Sequence, residues 1–491
     1  MIGEMFRHLR RIKLDQLLRL IADEIRGMFN LNKPMKDVPV IRYYGPLYEK
    51  GKVTVTAWNL SDLAYLAIQE SSDFQELEPS INNLIELCNF FLALDNDHAK
   101  EEYEGLTTNE TKLKILVGLT KKQLWYQERY RFRDEFNRQV ELLEVIPSEI
   151  KSQVELEGVC KEVSGFDLRT FRTILLALFS VAITQSDLSY LTSDGSAMKA
   201  HPALSVRNVV QVADLYTGDY QEFRQSPLLE NHFYIKPIVR TSFNRIIGVN
   251  TYMFAKKIAD GPFWIIRDYY RSRGSQAFVN AFGEYFERYV EKLLQHCLPR
   301  KSFARVPAPK SGRYADWFIY TQHYRLIVEL KSSIAGLMMR RLYPDIESIQ
   351  NYLEKLQEGV LQLDSTAQAY PDATRTIIKL IVHYETFHLS DTLLRPIVVD
   401  AVKEKLTNTE HVYFCDIGEF EWFISILGDS ESVAESILAA KIDVESQPAA
   451  GREFSQVIPR ITDIGNLYIN KSLNHWDTYI PGLKRLAPSS A

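Results

Sequence analysis

Three charged residues in the stretch Gly312–Ser333, GRYADWFIYTQHYRLIVELKSS, have types and spacing that could do chemistry: Asp316, Glu329 and Lys331. Two apolar runs, Ala315–Tyr320 and Leu326–Leu330, flank a polar Thr321-Gln322-His323 connection, which predicts an antiparallel hairpin. Side chains alternate faces along a strand, so Glu329 and Lys331 point the same way. An acid and a base on one face, with an aspartate in the neighbouring strand, suit metal-assisted hydrolysis. Phosphodiester cleavage needs charge neutralisation at phosphate, an activated water and a stabilised leaving oxygen, and one or two divalent ions supply these. Magnesium or manganese prefers oxygen ligands. The expected ligands are Asp316, Glu329 and the Leu330 carbonyl. Lys331 would position or deprotonate the water, or stabilise the pentavalent phosphate. The plainer alternative is a structural ion-pair network, disfavoured because burying several charges is costly unless they are well paired or bind metal.

These residues need elements to position them. A helix is expected over Gln276–Leu298, with Phe278, Phe282, Phe286, Tyr289, Val290, Leu293 and Leu294 on its apolar face. The hairpin follows, then a helix over Pro344–Thr366. Thr374–His383 reads as a strand covered on both faces. A strand at Val412–Cys415 and a helix at Glu419–Leu427 complete the series.

The order α-β-β-α-β, with YADWFIY (314–320), LIVELKSS (326–333) and GEYFERYVEKLL (283–294), resembles the PD-(D/E)xK nuclease superfamily, the restriction-endonuclease-like fold. That fold has three strands between its two helices, and only two are legible here. The family's proline is replaced by Ala315. The resemblance implies an αβββαβ core over about 275–430 and catalytic residues Glu287, Asp316, Glu329 and Lys331. Glu287 comes from a Gly283-x-x-x-Glu287 spacing, with Glu284 as the rival. Gln362 resembles the glutamine that the family carries on the helix after its ExK strand. The implied activity is a Mg2+- or Mn2+-dependent deoxyribonuclease. The implied setting is bacterial anti-phage defence or restriction, with a dimer favoured because two sites cut two strands. An inactive nuclease-fold scaffold and an RNase are the competing readings.

The segment Arg300–Arg313, RKSFARVPAPKSGR, has five basic residues and no acid, and its prolines and glycine argue loop. Arg300, Lys301, Arg305, Lys310 and Arg313 are the expected grip on the DNA backbone; Met338-Met339-Arg340-Arg341 could extend it. A net charge of −5 requires any nucleic-acid surface to be local. Lys121–Arg138 interleaves cations with Trp125, Tyr126, Tyr130 and Phe132, but Glu128, Asp134 and Glu135 favour an ordinary helix with a solvated charged face. Asp95–His98 lacks the spacing of a calcium loop. His383 and His388 are one residue too far apart for a zincin. No P-loop, GxSxG or GxGxxG occurs.

The chain as a whole reads as mixed α/β. Residues 1–226 form a mostly helical domain that senses, binds a regulatory partner or restrains the enzyme. Residues 227–274 connect it to the nuclease domain, 275–491. The N-terminus predicts one amphipathic helix packed on the body rather than a secretory signal or membrane anchor. Ile174–Ile183 is too short to span a bilayer. Four scattered cysteines without ligand spacing suit free thiols in a reducing cytoplasm.

Overall fold

The computed structural model describes residues 2–29, 41–44, 53–90, 126, 132–150, 152–189, 202–227, 229–307, 312–334, 336, 339, 346–385, 394–445, 468 and 475–479. The fold is mixed α/β. Its main sheet has five strands: β1 (Phe303–Arg305), β2 (Trp317–Tyr320), β3 (Tyr324–Lys331), β4 (Thr376–His383) and β5 (Val412–Asp416). They lie side by side in the order β5-β4-β3-β2-β1. The first three strands form an antiparallel meander; β3, β4 and β5 are mutually parallel neighbours. The helix Ala277–Cys297 precedes β1 and the helix Ile346–Ala369 makes the crossover from β3 to β4. The third strand of the meander, β1, lies in the basic segment expected to be loop. It is only three residues long, at the sheet edge and half-exposed or exposed, so it shows almost no apolar alternation.

β4 and β5 are buried on both faces, as continuous apolar runs in parallel strands require. The hairpin connection is fastened from outside. Glu435 accepts from Thr321 Oγ1 at 2.6 Å and from the His323 amide at 2.7 Å, and Glu431 accepts from the Gln322 amide at 2.6 Å. Both acids belong to the helix Glu431–Glu445.

Among the described residues, the N-terminal half is largely helical, with two small sheets. The single N-terminal helix that was expected is two, Ile2–Leu9 and Leu14–Met28. The break occurs where Lys13 N–H turns to Leu77 O (2.8 Å) and Leu14 N–H to Ser72 O (3.1 Å). Leu14, Leu17, Leu18, Ile21 and Ile25 are buried, so the helix packs on the body as its pattern predicts. By sequence, His232–Ile235 suits a short strand, but it lies at a 3-10 helix, Leu229–Tyr234.

By sequence, Thr251–Ile258 and Pro262–Arg273 suit two short helices, the second with proline in its first turn, but the structure has one, Thr251–Ser272, with Pro262 inside it. A proline there has no N–H for the carbonyl four residues back. The fully buried Arg172 supplies donors instead: Nη1 reaches Ala259 O at 3.1 Å and Ile258 O at 3.4 Å. Arg172 is itself paired with Glu144 at 2.8 Å. The helix can therefore continue through the proline.

One hydrophobic cluster runs from Phe136 through the helices Leu168–Ala182 and Thr251–Ser272 into the sheet and on to Tyr479. The helical half and the sheet thus share a core across residues 227–274. Within it, Arg138 donates to both oxygens of Glu421 at 2.6 and 2.8 Å, and Tyr289 O–H donates to Glu421 at 2.6 Å. Arg138, considered above for a charged helix face, is therefore an interior residue. Tyr126 is also buried, while Asp95–His98, Lys121, Lys122, Trp125, Arg129, Tyr130 and Arg131 lie outside the described residues. Arg138→Ala leaves the fully buried Glu421 without its counter-ion and is expected to cost about 3–5 kcal/mol. Urea unfolding monitored by circular dichroism checks this; a loss within the scatter of ordinary surface substitutions, about 0.5 kcal/mol, contradicts it.

Candidate active site

The candidate site forms at the C-terminal end of β3, where the sheet changes from antiparallel to parallel pairing. Asp316 immediately precedes β2, and its amide donates to Val328 O at 2.9 Å, which holds it in register with β3. Its Oδ2 accepts the Leu330 amide at 2.7 Å. One oxygen of Asp316 is thus committed to the fold, and Oδ1 has no hydrogen bond among the described residues. Glu329 is 4% exposed. Its Oε1 accepts from Lys331 Nζ at 2.6 Å, while its Oε2 is buried without a hydrogen-bond partner. Lys331 also donates to Gln362 Oε1 at 2.8 Å. The alternation expected of β3 therefore brings Glu329 and Lys331 together, and the crossover helix delivers Gln362 to them.

Gly359, one turn before Gln362, explains how that helix comes so close. A Cβ there would lie 2.8 Å from Lys331 Cε, 3.1 Å from Ile381 Cδ1 and 3.4 Å from Glu329 Cγ. Sequence reading missed this glycine; the signal was a glycine three residues before the glutamine in an otherwise side-chain-rich helix.

The helix Ala277–Cys297 distinguishes the rival glutamates. Glu284 is exposed. Glu287 is half-buried and sits close enough for its charge to act on Asp316. It is ion-paired with Arg305, whose guanidinium also lies 3.5 Å from Glu291 and 4.8 Å from the Trp317 ring centroid. Arg305, expected to grip phosphate, is exposed at the edge of the site and ion-paired there with carboxylates. Arg300, Lys301 and Arg313 are exposed, and the positive charge of Arg313 is felt at Glu329. Lys310, Met338, Arg340 and Arg341 lie outside the described residues, and Met339 is buried. His383 is a core residue, bonded to Glu385 O at 2.9 Å and to the Tyr352 hydroxyl at 3.2 Å.

Burial dominates the electrostatics. It raises the Asp316 carboxyl to about 6, against the Leu330 amide, with Glu287 adding to the rise. It raises Glu329 to about 8, with Asp316 adding to the rise and Lys331 opposing it. Two neighbouring carboxyls lifted in this way lack positive charge, which a divalent cation would provide. The donor chemistry fits: an orphaned carboxylate oxygen on Glu329, a second hard oxygen on Asp316, and the Leu330 backbone between them. Among the described residues, no three His, Cys, Asp or Glu side chains converge into a ready-made metal cage. The oxygens that could hold an ion are those of the two carboxylates and the Leu330 carbonyl, and a magnesium ion bound there would keep several waters.

No family model matches the chain, and no curated protein or solved structure matches it either. Among the described residues, no helix is long and apolar enough to cross a membrane.

The raised carboxyls have a thermodynamic signature. Between the unfolded carboxylate pKa, about 4, and the folded values of about 6 and 8, the native state binds more protons than the unfolded state. Stability without metal therefore falls as pH rises through that window. Glu329→Gln should flatten the fall between pH 5 and 8. Magnesium should raise the melting temperature more at pH 8 than at pH 6, where protons compete for the ligands. Scanning calorimetry in chelator and in Mg2+ reads both effects; a magnesium shift unchanged in Glu329→Gln would remove Glu329 from the ligand set.

Proposed function

We propose that the protein is a metal-dependent endonuclease that hydrolyses DNA phosphodiester bonds using Mg2+ or Mn2+. The observation that carries this reading is the convergence of Asp316, Glu329, Lys331 and Gln362 at one strand end, with the buried Oε2 of Glu329 lacking a partner. The αβββαβ order of the elements, including the edge strand β1, agrees with the restriction-endonuclease-like resemblance of the motif. A fold alone does not specify an activity, so the side chains bear the argument.

Asp316 and Glu329, with the Leu330 carbonyl, would hold the ion. The ion would neutralise phosphate charge and lower the pKa of a bound water. Lys331, held between Glu329 and Gln362, presents its ammonium beside the carboxylates, where it orients the attacking water or stabilises charge on the pentavalent phosphate. Gln362 fixes the lysine through its carbonyl oxygen. Glu287 adds negative charge near Asp316 and keeps Arg305 at the site edge. Arg300, Lys301 and Arg313 are exposed cations available to the DNA backbone.

A second reading, a non-catalytic nucleic-acid-binding subunit, is favoured by the ion pairs Lys331–Glu329 and Arg305–Glu287, which already give those acids cationic partners. The readings part on activity. Purified protein is incubated with supercoiled plasmid, linear duplex, single-stranded DNA and RNA, in Mg2+, Mn2+ or chelator. Cleavage of DNA that requires metal and falls at least about a hundredfold in Asp316→Ala and Lys331→Ala is expected. Wild type and both variants behaving alike on every substrate defeats the catalytic reading.

Gly359→Ala offers a finer check. The added methyl displaces Lys331 Cε while leaving every charged group present. Metal-dependent cleavage should drop by about ten- to a hundredfold, seen in kcat rather than in KM. An unchanged kcat would show that the lysine position is not critical.

A further inference from the structure

A second concave site lies along the helix Thr251–Ser272, away from the carboxylates. It encloses about 1040 Å3, at the upper end of the range for small-molecule pockets. Its floor is polar and unsatisfied. Asp260 and Tyr216 both line it and are 7% and 5% exposed, and Asp260 Oδ1 and the Tyr216 hydroxyl have no hydrogen-bond partner. Asp260 Oδ2 is engaged by Trp264 Nε1 at 2.9 Å, so only the other oxygen faces an unmet demand. Buried polar atoms of this kind are costly unless something bonds to them.

The wall is aromatic. Tyr270 and Phe278 stand nearly parallel, at 14° with centroids 6.5 Å apart. Trp264 also lines the cavity, with the Arg267 guanidinium 4.8 Å and the Lys257 ammonium 5.7 Å from its ring centroid. Charge around the cavity is predominantly positive: five Lys and Arg side chains against three acids. Neither Arg267 nor Arg271 forms a salt bridge with a described residue. Both are thus available to an anion, Arg267 half-buried and Arg271 exposed.

A ligand suited to this site has a flat heteroaromatic ring, N–H donors on its edge and an anionic tail. We propose that the cavity binds a nucleotide, with its base on the aromatic wall, base N–H groups directed to Asp260 Oδ1, and phosphates on Arg267 and Arg271. Arg is the residue whose planar fork matches phosphate oxygens. The site does not depend on the nuclease reading. Its boundary nevertheless includes Phe278 and Val279, on the helix that carries Glu287, and Gly336, five residues beyond Lys331. The lining of the cavity thus includes both chain segments that frame the candidate active site.

The test is equilibrium binding to the full-length protein in chelator, so that hydrolysis cannot consume the ligand. The probes are AMP, GMP, ATP and GTP, with adenosine, guanosine, tripolyphosphate and a short single-stranded oligonucleotide as comparisons. At least one nucleotide should bind more tightly than about 0.1 mM. The corresponding nucleoside and tripolyphosphate should each bind at least about tenfold more weakly. Arg267→Gln removes a phosphate donor. Val279→Trp, at an exposed position on the rim, narrows the cavity without disturbing the core. Each should weaken the nucleotide at least about tenfold while leaving the circular dichroism spectrum unchanged. The proposal is overturned if no nucleotide reaches 0.1 mM, if both folded variants bind as wild type does, if tripolyphosphate matches the nucleotide, or if only the oligonucleotide binds.

Discussion

Two carboxylates held out of water at the end of one strand set the terms for everything around them. Glu329 is buried and Asp316 half-buried, and burial raises both carboxyls, with Asp316 adding to the rise at Glu329 and Glu287 to that at Asp316. Such a pair persists because its surroundings are over-determined. A backbone amide fixes Asp316, a lysine fixes Glu329, and a glutamine fixes the lysine. The glycine that lets the crossover helix approach belongs to the same arrangement. Replacing a buried ion pair by apolar side chains is often neutral or stabilising, so the Lys331–Glu329 pair is weak evidence for a purely structural role.

The rest of the chain keeps this arrangement rigid. The helix bearing Glu287 is not only a neighbour of the sheet. Its Tyr289 shares Glu421 with Arg138, which comes from the N-terminal half. Lys292 of the same helix pairs with Glu141 and, at 2.8 Å, with Glu149. The helical half is thereby packed, through buried polar contacts and a continuous apolar cluster, against the helix that carries Glu287. The Thr251–Ser272 helix sits at this junction, and Arg172 keeps it continuous across Pro262.

Much of the sheet half was legible in the sequence because its signals are local and strong. The hairpin, the both-face-buried Thr376–His383 strand and the flanking amphipathic helices are periodic enough to read directly, and the alternation of β3 placed Glu329 beside Lys331. The edge strand β1 was not legible, because three residues at a sheet edge carry no pattern. Composition cannot show that Arg305, read as a phosphate contact, also has a carboxylate partner 18 residues away. Glu284 and Glu287 were inseparable for a related reason: they lie one turn apart, and only the docking of the helix reveals which one faces Asp316. The unbroken helix through Pro262 depends on Arg172, some 90 residues earlier. No local rule contains that contact.

The fastening of the hairpin turn by Glu431 and Glu435 bears on the chemistry at the opposite end of β3, roughly 23 Å away at the usual rise per residue. Opposed strands can slide past one another in steps of one residue, and each step reverses which side chains face which layer. Here such a step would turn Glu329 and Lys331 toward the other layer and carry Asp316 out of reach of the Leu330 amide. Two glutamates gripping backbone and side chain at the turn remove that freedom. The helix Glu431–Glu445 thus acts as an alignment pin for a site it never touches.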